Sequence, residues 1–190
     1  MAGPVSRFLP ARELLLFQPR ATITGGAYAR AGRTTEGIAL IEEAQSRGNA
    51  IQLRTYHART VTTLADAYLA AGRPDDAFRT ACEALEWSRT SRHRAMEAET
   101  HFILGEIRTV QDPPDPASAE ESYLTALALA TEIGMRPLVA RCHLELGRLH
   151  QVASKAEAAD THLTTARRMF AEMAMNYWLA QVDAELSRRF

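Results

Sequence analysis

Histidine, cysteine and carboxylate side chains are the groups in this sequence that could do chemistry. His143 and His150 stand seven residues apart. On a helix that spacing puts both on one face but two turns apart, roughly 10 Å along the axis. One metal ion could not take both directly, and the sequence has no His-Glu-x-x-His. Cys142 beside His143 suggests a nucleophile and its base. Neighbours on a helix diverge, so the thiol would not meet that imidazole, and an active nucleophile needs its base within hydrogen-bond reach. Glu42-Glu43, Asp75-Asp76 and Glu120-Glu121 are paired carboxylates, but adjacent helical residues point about 100° apart, a poor geometry for joint acid–base work. Asp75-Asp76 and Glu120-Glu121 suit the first turns of helices, where negative charge meets the dipole. Arg89, Arg92 and Arg94, and Arg167 and Arg168, form basic patches with acidic residues between them and few aromatic partners, which suits solvated faces better than a nucleic-acid track. These groups assemble no catalytic centre, no metal site and no cofactor site, and the expectation is a protein that is not an enzyme.

The elements that would carry these groups are helices in a repeat. Leu64-Ala-Asp-Ala-Tyr-Leu-Ala-Ala-Gly-Arg-Pro-Asp-Asp-Ala77 reads as a helix, a tight turn and a second helix. Gly72 closes the first helix because glycine takes the left-handed cap conformation cheaply. Pro74 opens the next where its missing N–H costs nothing. The unit recurs. Gly25, Ala65, Gly105 and Gly147 fill one small slot at spacings of 40, 40 and 42. Tyr28, Tyr68, Arg108 and His150 follow three residues later. On the second helix the small slot holds Gly37, Ala77, Ala119 and Ala159, and the next turns hold Ile41 and Ala44, Ala81 and Ala84, Tyr123 and Ala126, Leu163 and Ala166. Small residues at matched slots let two backbones approach, and apolar neighbours one turn away fill the seam.

The repeats are expected at about 19–50, 58–91, 97–133 and 138–173, within a single domain spanning 1–190. Residues 5–18 are expected as a separate short apolar helix started by Pro10. The last helix, 176–188, copies a first helix, with Trp178 where Leu138 stands, and would cap the array. Asp112-Pro-Pro-Asp-Pro116 is a rigid turn that cannot be helical.

Composition agrees. Only 7% of the 190 residues are aromatic and the formal net charge is −1, with no basic excess to suggest a phosphate-backbone partner. Cys82 and Cys142 lie among apolar neighbours on expected helices, which fits reduced, buried thiols. The sequence has no run of about 18 apolar residues, so no membrane partner is expected and the default location is the cytoplasm.

The small-x-x-aromatic slot, the alanine twelve residues on and the helix-turn-helix unit resemble tetratricopeptide repeats, with a longer period than the usual 34 or so. Residues 60–186 resemble more closely the repeat tail of bacterial proteins that join a class III adenylate/guanylate cyclase domain to an ATPase domain. The stretches that carry this are Ala67-Tyr-Leu-Ala-Ala-Gly-Arg, Leu104-Gly-Glu-Ile, Asp112-Pro-Pro-Asp, Tyr123-Leu-Thr-Ala-Leu-Ala-Leu-Ala, Gly134-Met-Arg-Pro-Leu-Val-Ala-Arg-Cys-His143, Leu146-Gly-Arg-Leu and His162-Leu-Thr-Thr-Ala166. The cyclase and ATPase motifs are absent, including any Gly-x-x-x-x-Gly-Lys loop. The resemblance therefore implies a binding or regulatory module and transfers no catalytic residue.

The expected fold is an all-α, right-handed superhelical solenoid of about four helix-turn-helix repeats plus a terminal capping helix. Its expected function is protein–protein interaction as a scaffold or regulatory module. The alternative is a truncated or detached C-terminal regulatory region of a class III nucleotide cyclase/ATPase signalling protein. A protein or peptide partner would lie along the concave face, lined by first helices. Counting from the small slot, the exposed positions there are Arg59, Thr62, Asp66 and Leu69, then Glu99, Phe102, Glu106 and Thr109, then Arg141, Leu144, Arg148 and Gln151. A homo-oligomer is a further possibility.

Overall fold

The computed structural model describes residues 11–50 and 56–188. They form α1 (Ala11–Arg30), α2 (Thr34–Ala50), α3 (His57–Ala70), α4 (Pro74–Thr90), α5 (Arg94–Val110), α6 (Pro116–Glu132), α7 (Arg136–Val152), α8 (Ala156–Glu172) and α9 (Asn176–Ser187), with no strand among the described residues. The fold class is an all-α, tetratricopeptide-like solenoid, and α9 stands as a first helix with no described partner after it. The chain divides into two compact units, residues 1–83 and 84–190, with the division inside α4.

In the first unit α1 packs on α2, and both pack on α3. The seam is made by close backbone approach. A Cβ added at Gly25 would stand 2.7 Å from the Gly37 carbonyl oxygen, and one at Gly37 would stand 2.5 Å from the Gly25 carbonyl oxygen. Ile41 packs against Gly25 there, and Ala44, Ala65, Ala77 and Ala81 are also buried in this unit. The separate helix expected over 5–18 is not what forms: residues from Ala11 onward belong to α1, which continues through Pro19. Residues 5–10 lie outside the described part. Proline interrupts a helix by removing one backbone hydrogen bond. Here α1 is anchored on both sides of that gap, because Gln18 Nε2 donates to Thr60 Oγ1 (3.3 Å) and the Thr22 hydroxyl shares a hydrogen bond with Thr60 (3.1 Å), all three being buried.

In the second unit α5 packs on α6, α6 on α7, α7 on α8 and α8 on α9. The same slots make the seams. A Cβ at Gly105 would meet the Tyr123 ring at 2.5 Å, and one at Gly147 would meet Leu163 Cγ at 2.6 Å. Tyr123, Ala126, Leu163, Ala166 and Phe170 have at most 1% of their surface exposed.

Six of the turns end their helix in the same way. The N–H of Arg33, Arg73, His93, Met135, Lys155 and Met175 donates back to the carbonyl five residues earlier, at 2.8–3.0 Å. The residue before each has a positive φ: Gly32 (84°), Gly72 (69°), Arg92 (57°), Gly134 (74°), Ser154 (58°) and Ala174 (53°). This is the left-handed helix cap. The proline-rich turn departs from it. There Asp115 caps α6 by accepting from the Ser118 N–H (3.0 Å), and Pro116 takes the first helical position.

Candidate functional site: the first-helix faces and a histidine cluster

The twelve residues expected to face a partner separate cleanly by slot. Those three residues before the small position, Thr62, Phe102 and Leu144, are buried, with 3%, 1% and 0% of their surface exposed. This corrects the expectation that they are exposed. Residues i and i+3 share a helix face, so this slot points into the same seam as Ala65, Gly105 and Gly147. The other nine reach the surface. Arg59 is exposed, and Asp66, Leu69, Glu99, Glu106, Thr109, Arg141, Arg148 and Gln151 are half-buried.

Most of these nine are held in place. In the first unit Arg30 bridges to Asp66 at 2.7 Å. In the second, the Arg141 guanidinium lies 4.1 Å over the Phe102 ring and 5.1 Å from that of Trp178, with Glu106 at 3.6 Å. Its Nε is buried without a hydrogen-bond partner. Arg148 donates to Glu145 (2.9 Å) and to Glu185 (2.8 Å), and Arg188 holds the second Glu185 oxygen at 2.8 Å. Gln151 donates to the Glu185 carbonyl at 3.2 Å. Burial raises the Glu145 carboxyl above the usual range, opposed by the nearby Arg148 and Arg141 charges. Arg148, Gln151, Val152, Ala156, Glu185 and Arg188 line an open groove of about 850 Å³. Val152, 87% exposed, is the largest of its apolar side chains.

The other chemical candidates are accounted for. Cys142 is fully buried, and burial pushes its thiol up to about 12, the opposite of an activated nucleophile. Cys82 is exposed, not buried as the sequence suggests. It lies next to Ala81 on the helix, and a step of about 100° takes it off the buried stripe. Glu42 accepts from the Tyr68 hydroxyl (2.6 Å), which helps raise that phenol to about 12 after burial, and Glu43 pairs with Arg47. Hydrogen bonding from Arg73 holds the half-buried Asp76 carboxyl below its ordinary value. Arg89 bridges to Glu97, Arg94 to Glu132, Arg167 to Asp183 and Arg168 to Glu172. Four of the five arginines in the basic patches are therefore paired locally.

One grouping escaped the sequence reading. His162 on α8 comes between His143 and His150 on α7. His143 Nδ1 and His162 Nδ1 are 2.8 Å apart. The His150 ring meets that of His162 edge-on, with centroids 5.3 Å apart. His150 Nε2 is 3.0 Å from Glu120, whose other oxygen takes Lys155 at 3.3 Å. His150 Nδ1 is buried with no partner. Burial pushes His143 down to about 4, helped by the charges of His162 and Arg168, and burial also lowers His162. No spacing in the sequence signals this contact, because it depends on how α7 and α8 are each rotated about their axes. Among the described residues no group of three or more His, Cys, Asp or Glu side chains is disposed to hold a metal ion.

Comparison with known proteins places the fold. No family model matches the sequence, and no curated protein does. Solved structures do. BtubC from P. vanneervenii aligns with a TM-score of 0.70 at 20% identity, over 88% of this chain and 68% of that one. A Rap protein complexed with competence and sporulation factor aligns with a TM-score of 0.81 at 16% identity, over 91% of this chain and 48% of that one. A putative kinesin light chain from Podosopora anserina with nearly identical TPR-like repeats aligns with a TM-score of 0.63 at 16% identity, over 90% and 87%. The chain thus spans about half the length of the Rap protein. The likeness establishes a tetratricopeptide-like repeat fold. Among the described residues no helix is long and apolar enough to cross a membrane.

Proposed function

We propose that this chain is a protein-interaction module, a scaffold or regulator in the cytoplasm with no catalysis of its own. The observation that carries this reading is the surface positions on α3 in the first unit and, separately, on α5 and α7 in the second. Arg59, Asp66, Leu69, Glu99, Glu106, Thr109, Arg141, Arg148 and Gln151 offer mixed charge, and several are fixed in advance by ion pairs and ring contacts. Side chains already ordered lose little entropy on binding, and charge complementarity selects the partner. The Rap structure, solved with competence and sporulation factor, is consistent with a protein or peptide ligand. A second reading, the C-terminal regulatory part of a class III nucleotide cyclase/ATPase protein, rests on the resemblance of residues 60–186 alone.

Site-specific photocrosslinking in the native cells tests the first reading. A probe at Leu69, Glu99 or Gln151 should capture a defined partner, and a probe at the exposed second-helix positions Arg79, Leu124 or Thr164 should not. Capture only from the second-helix positions would overturn the assignment of the face. Nucleotide hydrolysis or cyclisation by the homogeneous chain would overturn the absence of catalysis. The mass of the native product separates the two readings. A band near 21 kDa supports a free-standing module, and a product several times larger supports the signalling-protein tail. A 21 kDa chain that self-associates would supply the homo-oligomer.

A further inference from the structure

We propose that His143 and His162 form a two-imidazole chelate that binds Cu²⁺ or Ni²⁺ and staples α7 to α8. The case begins with the 2.8 Å separation of the two Nδ1 atoms, contributed by different helices of one hairpin. Metal–imidazole bonds are about 2.0–2.1 Å long, so this separation subtends about 86° at a shared ion, whereas a tetrahedral ion needs the nitrogens about 3.3 Å apart. An angle near 90° is the cis angle of square-planar and octahedral shells, the geometry of Cu²⁺ and Ni²⁺ and not that of Zn²⁺. The order of divalent affinities, with Cu²⁺ at its peak, points the same way.

Both rings are half-buried, so water reaches the ion and completes its shell. That is consistent with no third protein ligand converging on the position. Without metal, the close nitrogens make an N–H···N hydrogen bond, with one Nδ1 protonated and the other bare. On binding, the protonated ring takes its proton on Nε2 through water, so both Nδ1 lone pairs face the ion and no net proton is released. The torsion that turns an imidazole plane is broad, which lets the two lone pairs swing off the N···N line.

The surroundings back one ring of the pair. His150, only 6% exposed, abuts His162 edge-on and is itself held by Glu120, which Lys155 also contacts. Arg168 is the cation that faces His143. His150 is therefore a positioning residue for His162.

The test uses the full chain without an affinity tag, stripped of metal and titrated at pH 7.5 with CuCl₂, NiCl₂ and ZnCl₂ by calorimetry and thermal melting. One ion per chain should bind, with Cu²⁺ and Ni²⁺ tighter than Zn²⁺. The melting temperature should rise, because the ion binds the folded hairpin and not the separated helices. The Cu²⁺ electron paramagnetic resonance spectrum should show splitting from two nitrogens. His143→Gln and His162→Gln should each weaken binding at least about tenfold and remove one nitrogen from the spectrum, while His93→Gln leaves both unchanged. His162→Asn serves if His162→Gln does not retain the helical circular dichroism of the parent. Absence of saturable binding, unchanged affinity in the His143 and His162 variants, or Zn²⁺ tighter than Ni²⁺ would each overturn the proposal.

Discussion

The α5–α6 and α7–α8 hairpins share one backbone plan and fill matching slots with different chemistry. In α5–α6 the small residue Gly105 faces the ring of Tyr123, and Phe102 packs against that ring with centroids 5.6 Å apart. In α7–α8 the same slots hold Gly147, Leu163 and Leu144, with no aromatic ring. The flanking slots differ further. Arg108 and Ser122 hydrogen-bond in the first hairpin, and their counterparts in the second are His150 and His162, joined ring to ring. His101 corresponds to His143, yet it meets Arg89 (3.3 Å) and not another imidazole. The backbone plan therefore depends only on small residues at the seam. The apolar seam positions beside them differ, aromatic at Phe102 and Tyr123 and aliphatic at Leu144 and Leu163, and the flanking positions of the second hairpin carry the imidazoles of His150 and His162.

Breaking the seam itself should give the largest effect. Leucine at Gly105 needs room that the Tyr123 ring occupies, since even a Cβ would stand 2.5–2.8 Å from three ring carbons. Gly105→Leu should cost about 1–3 kcal/mol, read as a lower urea midpoint and melting temperature. Gly147→Ala should cost less, because its clash is with the rotatable side chain of Leu163 and alanine recovers about 1 kcal/mol of helix propensity over glycine. An unchanged melting curve for Gly105→Leu would mean that the shared slot is not what joins the helices.

Acid should separate the two hairpins next. His143 is held at about 4 and His162 is also lowered, both by burial first, against an ordinary imidazole value near 6.5. The unfolded chain then binds more protons than the folded one between these limits. Their contribution is fully present above about pH 6.5 and is lost as pH falls toward 4. Allowing for the half-exposed rings, the loss is on the order of 1–2 kcal/mol. His101, lowered by burial and by Arg89, adds in the same direction, and Glu145, raised by burial, opposes it. In chelator-treated buffer, urea midpoints should fall between pH 7 and pH 5, and the double variant His143→Gln/His162→Gln should flatten that slope more than His101→Gln does. Equal slopes in all three proteins would show that the imidazole pairing does not set the acid response.

The seam was legible in the sequence and the histidine grouping was not, for one physical reason. Gly25 faces the Gly37 carbonyl, Gly105 the Tyr123 ring and Gly147 the Leu163 side chain, so each seam calls for a small residue at that slot and the period shows in the sequence. A contact such as His143–His162 depends on how each helix is rotated about its axis, and residue types nineteen apart do not reveal that. The same rotation explains the misreading of Thr62, Phe102 and Leu144. α7, for example, is covered by α8 and by α6, so its accessible arc is narrow, and the slot one turn before the small residue falls outside it. Helix starts and ends were clear wherever glycine or proline marks them, as at Gly72 and Pro74. They were harder to read at Arg92 and Ala174, which take the same cap conformation without being glycine.

That last contrast yields the smallest and sharpest prediction. The α3–α4 turn places Gly72 at φ 69°, and the α7–α8 turn places Ser154 at φ 58° with the same backbone bond, Lys155 N–H to His150 carbonyl at 2.9 Å. A residue with a Cβ pays about 1–2 kcal/mol to hold the left-handed conformation. Glycine avoids that cost but loses about 0.5–1 kcal/mol more chain entropy on folding. The Ser154 side chain is exposed, so its removal should sacrifice little else. Ser154→Gly should therefore stabilise the chain by about 0.5–1 kcal/mol, and Gly72→Ser should destabilise it by a similar amount, both read from urea midpoints at pH 7.5. If Ser154→Gly were neutral or harmful while Gly72→Ser cost stability, the two turns would not be energetic equivalents. The serine hydroxyl would then be satisfying a group at the α7–α8 turn that the α3–α4 turn leaves to water.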